Sequence, residues 1–156
     1  MLKKWLMLSL LTVILDQASK LAIDHSMQLY QSISLVPFFN LTYVHNTGAA
    51  FSFLSDASGW QRYFFMSISF AAIMMIIRLI HQRLKHPLLC LALAFILGGA
   101  IGNLCDRSYY GFVIDFIYFH YEAYYWPAFN VADSFISIGV ALILYDAFKN
   151  KKPLLS

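Results

Sequence analysis

Residues 88–107 read LLCLALAFILGGAIGNLCDR, and this stretch decides the fold. From Leu88 to Leu104 it carries no charge, then it stops on Asp106 and Arg107. A helix needs roughly 20 mostly apolar residues to cross the hydrocarbon of a bilayer. Three further blocks of the same kind flank it, from about Trp5 to Ile23, about Tyr63 to Ile80 and about Val131 to Phe148. The 156-residue chain is 60% hydrophobic and 12% charged, and its mean hydropathy is +0.64. Soluble domains carry about a quarter charged residues, so a soluble fold is excluded. The expected fold is a single integral membrane domain over residues 1–156, an all-α bundle of four transmembrane helices. Lys3 and Lys4 before the first apolar run resemble the start of a signal peptide. Asp16-Gln17-Ala18-Ser19-Lys20 after it lacks small residues at both cleavage positions, so the run is read as a retained first helix.

Basic residues set the expected orientation. Lys3 and Lys4 precede the first span, Arg78, Arg83 and Lys85 surround the second turn, and Lys149, Lys151 and Lys152 follow the last span. The two remaining loops hold only Arg62 and Arg107, each against a helix end. The positive-inside rule places both termini and the His81–Pro87 turn in the cytoplasm, with loops 24–62 and 105–130 outside. The net charge of +3 follows from this asymmetry and gives no sign of a nucleic-acid partner. Cys90 and Cys105 lie on one predicted helix, roughly 22 Å apart at helical rise, which excludes a disulfide between them. The histidines show no ligand-like spacing with either cysteine, so no metal site is expected.

The outer loops are the informative regions. Phe38-Phe39-Asn40-Leu41-Thr42-Tyr43-Val44-His45 is rich in aromatic and β-branched residues, and Asn46-Thr47-Gly48 and then Ala49-Ala50-Phe51-Ser52-Phe53 follow it. That order reads as strand, turn, strand, a small β-element within about 30–58 resting on the membrane. The second loop, about 105–130, is densely aromatic from Tyr109 to Trp126 and is expected in the headgroup zone.

Polar groups occur where hydrocarbon or headgroups should be. Asp16 and Lys20 share one face of the first span, four residues apart. Asn103, Asp106 and Arg107 close the third span, Asn130, Asp133 and Ser134 open the fourth, and Asp115 sits inside Phe112-Val113-Ile114-Asp115-Phe116-Ile117. Ionisable groups in a membrane usually face the bundle interior and mark function. With the first and third spans running outward and the fourth inward, all of these converge on one layer near the outer surface. Each also has a plainer reading. Asp16 and Lys20 form a helix-stabilising ion pair, Asn130 and Asp133 a capping box, Asp106 and Arg107 an interfacial pair ending the span. Gly98 and Gly102 carry the spacing of a close helix contact. Asp115 has no such reading, because neither capping nor helix pairing explains an acid inside an apolar strand-like run.

Two carboxylates in one layer point to aspartyl chemistry, in which an ionised partner takes a proton from water and a protonated one donates to a carbonyl. The chain has no Gly-x-Ser-x-Gly, no His-Glu-x-x-His and no phosphate-binding loop. Two other classes stand beside the enzyme. A transporter subunit would use Asp16, Lys20, Asp115 and Asp133 as a proton path, which calls for ionisable groups spread through the depth. A non-catalytic assembly factor would tolerate amides at positions 115 and 133.

Five blocks, Asp16–Lys20, Asn46–Ser52, Gly98–Arg107, Val113–Phe116 and Phe129–Ser134, together resemble the lipoprotein signal peptidases, in order and spacing over nearly the whole chain. The resemblance implies four helices with a small periplasmic β-cradle in the bacterial inner membrane, and no cofactor. The substrate it implies is a prolipoprotein whose lipobox cysteine carries a diacylglyceryl group, cut immediately before that cysteine. The family's catalytic pair falls on Asp115 and Asp133. Its other polar site positions fall on Asp16, Lys20, Asn46, Gly48, Asn103, Asp106, Arg107 and Asn130. Membrane lipid and the cyclic peptide globomycin are the further partners implied. Asn103 and Asn130 are expected to orient substrate and Asp133, Arg107 to meet substrate carbonyls or a headgroup, and Asp16 with Lys20 to stabilise the site. Phe38, Phe39, Phe51 and Phe53 are expected to cover it as a lid.

Overall fold

The structure, a computed structural model, describes residues 1–48, 59–122 and 124–150. Its elements are α1 (Leu2–Ser26), β1 (Ser32–Val36), β2 (Phe39–Asn46), α2 (Trp60–Gln82), α3 (Pro87–Tyr109), β3 (Val113–Tyr121), β4 (Tyr124–Tyr125) and α4 (Val131–Asn150). All four helices are long and apolar enough to cross a membrane. They overrun the apolar blocks of the sequence because polar turns continue the helix beyond the hydrocarbon-matching core. Pro87 opens α3, where its missing N–H leaves no intrahelical bond unmade.

The central helix is α3, which packs against each of the other three. Small residues allow this. A Cβ on Gly98 would lie 2.5 Å from Thr12 Cβ and 2.7 Å from Ser9 O of α1, and one on Gly102 would strike the Asp16 carboxylate. On the opposite side, a Cβ on Gly99 would lie 2.5 Å from Ala132 O of α4. Backbones this close gain dispersion contacts, the main attraction available between helices in lipid. Ser9 Oγ adds a hydrogen bond to Ala94 O at 2.9 Å. Trp5, Ile73, Ile76, Ile80, Leu93 and Leu97 fill the space between α1, α2 and α3. The outward faces keep Met7, Leu10, Ile14, Phe70, Met74 and Leu144 exposed, the pattern of helices that face lipid.

The four strands form one antiparallel order, β1-β2-β3-β4. Gly111, at φ 87°, turns the chain from the end of α3 into β3, a conformation open to glycine at little steric cost. Ile114 and Phe116 on one face of β3 pack with Tyr43 of β2 and with Ile23 and Met27 at the end of α1, which fixes the sheet to the bundle.

Among the described residues, β2 has an upstream hairpin partner, β1, with Pro37 and Phe38 between the strands. Ser32-Ile33-Ser34-Leu35-Val36 alternates as a strand should, and Pro37, with its fixed φ, marks the turn. The strand expected at 49–53 and the lid residues Phe51 and Phe53 lie outside the described residues. The aromatic stretch 109–126, expected as a loop, carries regular structure. It ends α3, pairs with β2 as β3 and turns into β4, because Val113–Tyr121 is rich in β-branched and aromatic residues, interrupted only by Asp115 and His120. Tyr109 at its start and Tyr121, Tyr124, Tyr125 and Trp126 at its far end are exposed, as the headgroup reading requires.

Candidate active site

The polar residues of α1, α3, β2, β3 and α4 meet at the end of the bundle that carries the sheet. At the base lies Lys20, 1% exposed. Its ammonium has three donors, and each has an acceptor: Asp16 Oδ2 at 2.8 Å, Asp106 Oδ2 at 2.9 Å and Asn103 Oδ1 at 2.9 Å. A buried charge persists only when paired and hydrogen-bonded. Both acids are further anchored. Asp16 Oδ1 accepts from the Ala132 amide at 2.9 Å, at the start of α4. Asp106 Oδ2 accepts from the Ile114 amide at 3.2 Å, on β3. The ion cluster thus grips the backbone one residue before Asp133 and one residue before Asp115.

Gln17 completes the cluster. Its side-chain N–H groups reach Asp106 Oδ1 at 2.8 Å, Asp16 Oδ2 at 3.2 Å and Gly102 O at 3.2 Å. Sequence reading did not single it out, although its place beside Asp16 on a helix facing two acids was the available signal.

Asp115 is 2% exposed, on the face of β3 turned toward α3 and α4. Asn46 Nδ2 donates to its Oδ2 at 2.9 Å and Asn130 Nδ2 to its Oδ1 at 2.7 Å. Burial, and then the neighbouring charge of Asp133, push its carboxyl up to about 7. Asp133 stands in the first turn of α4. The capping box read from the sequence is present: Asp133 N donates to Asn130 Oδ1 at 2.9 Å and Asn130 N to Asp133 Oδ2 at 3.3 Å. Capping and site geometry are therefore the same feature here, since the cap is what aims the carboxylate.

Asn103 joins the two halves. Its Nδ2 donates to Asp133 Oδ1 at 2.8 Å. Its Oδ1 takes Lys20 Nζ and, at 3.2 Å, Asn130 Nδ2, the same nitrogen that serves Asp115. Lys20 thereby sets the polarity of the amide, oxygen toward the ammonium and nitrogen toward Asp133. Asn130 differs from expectation in one respect: its side-chain amide orients Asp115, while Asp133 meets its backbone N–H and its Oδ1.

Arg107 Nη2 donates to Gly48 O at 3.0 Å, and its guanidinium lies 5.3 Å from the Phe65 ring. Gly48 N in turn donates to Asn46 Oδ1 at 3.0 Å, so the turn after β2 is tied to both Arg107 and the Asp115 partner. Every polar residue expected at the site thus belongs to one connected network. Both aspartates, with Asn46, Asn103 and Arg107, line a cavity of about 430 Å³ walled by apolar groups that include Val113, Phe129 and Ile136.

Two lid residues do not sit over this cavity. Phe39 stacks on Phe119 within the sheet, with ring centroids 5.0 Å apart. Phe38 lines a separate open hollow with Phe119, Tyr121 and Trp126.

The family described as signal peptidase (SPase) II matches residues 8–149 of this chain. The lipoprotein signal peptidase of Alteromonas mediterranea is 53% identical over 148 residues, 94% of this chain and 81% of that protein. The lipoprotein signal peptidase of Pasteurella multocida is 48% identical over 148 residues, 94% of this chain and 90% of that one. A bacterial membrane enzyme solved by the in meso method at 2.3 Å resolution superposes with a TM-score of 0.83 at 32% identity, covering 96% of this chain and 92% of that chain.

Proposed function

The chain belongs to the signal peptidase II family and is an integral membrane aspartic peptidase that removes signal peptides from prolipoproteins, and on that premise we propose that Asp115 and Asp133 are its catalytic pair. One observation carries the assignment: the two carboxylates line one cavity and share a hydrogen-bond chain through Asn130 and Asn103.

The roles follow from the surroundings. Asp115, buried and pushed up to about 7, holds the shared proton near neutral pH and donates to the scissile carbonyl oxygen. Asp133, in the first turn of α4, takes a proton from the attacking water. The water oxygen bonds to the carbonyl carbon. The tetrahedral adduct then collapses as a proton passes to the departing amine, so a new carboxyl and a free amine result. Asn46, Asn103 and Asn130 hold the pair in place. Asp16, Lys20 and Asp106 fix the backbone beneath it, and Arg107 with Gly48 meets the substrate main chain at the cavity mouth.

The substrate's cysteine carries a diacylglyceryl group, and the bond cut lies immediately before it. Apolar cavity walls beside lipid-facing helices suit a substrate that is itself part lipid. The chain lies in the bacterial inner membrane with both termini cytoplasmic and the site near the periplasmic face, as the basic residues of the loops favour. Globomycin and membrane lipid are the remaining ligands of this reading. The acids cluster at one end of the bundle, which favours a peptidase over a proton path through the membrane.

The test is cleavage by purified protein of one prolipoprotein prepared with and without its diacylglyceryl group, with products identified by mass. The expected result is cutting of the lipidated form only, with the modified cysteine as the new N-terminus. Equal cutting of both forms, or cutting at another bond, would overturn the substrate assignment.

A further inference from the structure

The pairing of β2 with β3 changes register in the middle. Phe39 pairs with Phe119, Asn40 with Tyr118 and Leu41 with Ile117, whereas Val44 pairs with Asp115, His45 with Ile114 and Asn46 with Val113. Thr42 and Tyr43 together stand opposite Phe116, so β2 holds one extra residue there, a β-bulge. Side chains alternate between faces along a strand, and residues opposite one another share a face. With the bulge, Val44 and Asn46 lie on the face of Asp115. Without it, Tyr43 would oppose Asp115 and His45 would oppose Val113, and Asn46 would turn to the other side of the sheet. A one-residue slip moves every side chain beyond it to the other face. The bond from Asn46 to Asp115 therefore depends on this bulge.

A group of polar side chains with no part in the catalytic network sits on the opposite face at the same place. The Tyr43 hydroxyl, on a residue 5% exposed, donates to Asp24 Oδ1 in the last turns of α1. His45 Nε2 lies 2.9 Å from the same hydroxyl, and its ring stacks on Phe112 with centroids 3.7 Å apart. The backbone is held as well, with Tyr43 N donating to Gln31 O at 3.0 Å and Tyr30 N to Tyr43 O at 2.8 Å. Bulges weaken a ladder locally, and one that persists must be held by its surroundings.

We infer that the Asp24–Tyr43–His45 chain is a pin that holds the β2 bulge, so that Tyr43 and Asp24 are positioning residues acting through Asn46 on Asp115. The pin ties α1, which carries Asp16 and Lys20, to the strand that carries Asn46. It couples the two sides of the site through the sheet's far face. The inference rests on the assignment of Asp115 as catalytic.

The experiment is a double-mutant cycle on kcat for the lipidated prolipoprotein, using wild type, Tyr43→Phe, Asn46→Ala and the double variant, with Asp115→Asn as the control. Misplacing a catalytic partner by about an ångström lowers turnover by up to about a hundredfold. Tyr43→Phe is expected to lower kcat by at least about tenfold with KM within about twofold, and to change kcat by less than about twofold once Asn46 is already alanine. If Tyr43→Phe does not accumulate as folded protein, Asp24→Ala removes the same bond from the half-buried helix side and is compared in the same two backgrounds. An equal fall in both backgrounds, or no fall in either, overturns the pin. An Asp115→Asn enzyme with wild-type turnover instead overturns the catalytic assignment, and the pin falls with it.

Discussion

Lys20→Met removes the one cation in the buried cluster beneath the site and keeps a similar volume. Three charge-assisted hydrogen bonds disappear together, to Asp16, Asp106 and Asn103 at 2.8, 2.9 and 2.9 Å. Asp16 and Asp106, 0% and 1% exposed, are left facing each other. Breaking a buried ion pair from one side costs about 3–5 kcal/mol, mostly from the charge left behind. The remaining donors to the acids, from Gln17, Ala132 and Ile114, keep the loss inside that range and not above it. For a chain of this size each kcal/mol moves the unfolding midpoint by about 2–4 °C, so the expected drop is roughly 6–20 °C. Thermal unfolding of purified protein in detergent measures it. The double variant Lys20→Met with Asp106→Asn restores the original cluster charge and should recover about half of the drop, a non-additivity expected of groups in one network. A Lys20→Met midpoint within about 2 °C of wild type, or a double variant at the sum of the two single effects, would refute the reasoning.

Other consequences follow from the same geometry. Gly98→Ala places a methyl group 2.5 Å from Thr12 Cβ, so α1 and α3 must separate; a loss of about 1–3 kcal/mol is expected in the same unfolding assay, and unchanged stability would contradict the packing. Asp115 titrates at about 7 in the folded chain against an ordinary value of 3.8, so between those limits the folded form holds the extra proton. Stability from this group therefore falls as pH rises from about 3.8 to about 7, and Asp115→Asn should gain on wild type across that window; parallel stability curves for the two proteins would contradict it. Asn130→Ala removes a helix cap and the Nδ2 donor to Asp115, so about 1 kcal/mol of stability should be lost together with at least about tenfold in kcat; a stability loss without a turnover loss would separate the two roles.

Much of the fold was legible because bilayer crossing is written in one variable, the length of uncharged apolar sequence, and α3 states it without interruption. The polar residues of the site were legible for the complementary reason, since a charge inside such a run must have partners. What stayed hidden were relations between distant residues. Nothing local in Ser32–Val36 says that it pairs with β2, because strand partners are chosen by tertiary packing. The aromatic content of 109–126 does not by itself announce a strand, and the pairing of Val113–Tyr121 with β2 supplies one. The bulge opposite Phe116 cannot be seen in either strand alone, yet it determines which face Asn46 takes. Gln17 was passed over because a glutamine beside an acid has many uses, and only the arrival of Asp106 from α3 gives it this one.

The most direct test of the two-aspartate site is the turnover of Asp115→Asn and Asp133→Asn enzymes, each verified as folded, on a diacylglyceryl-modified prolipoprotein. Each amide keeps the size of the side chain and removes its ability to hold or take the proton, so both variants are expected to lose at least about a thousandfold in turnover. Near-normal turnover in either one would contradict the assignment and leave that residue a structural role alone.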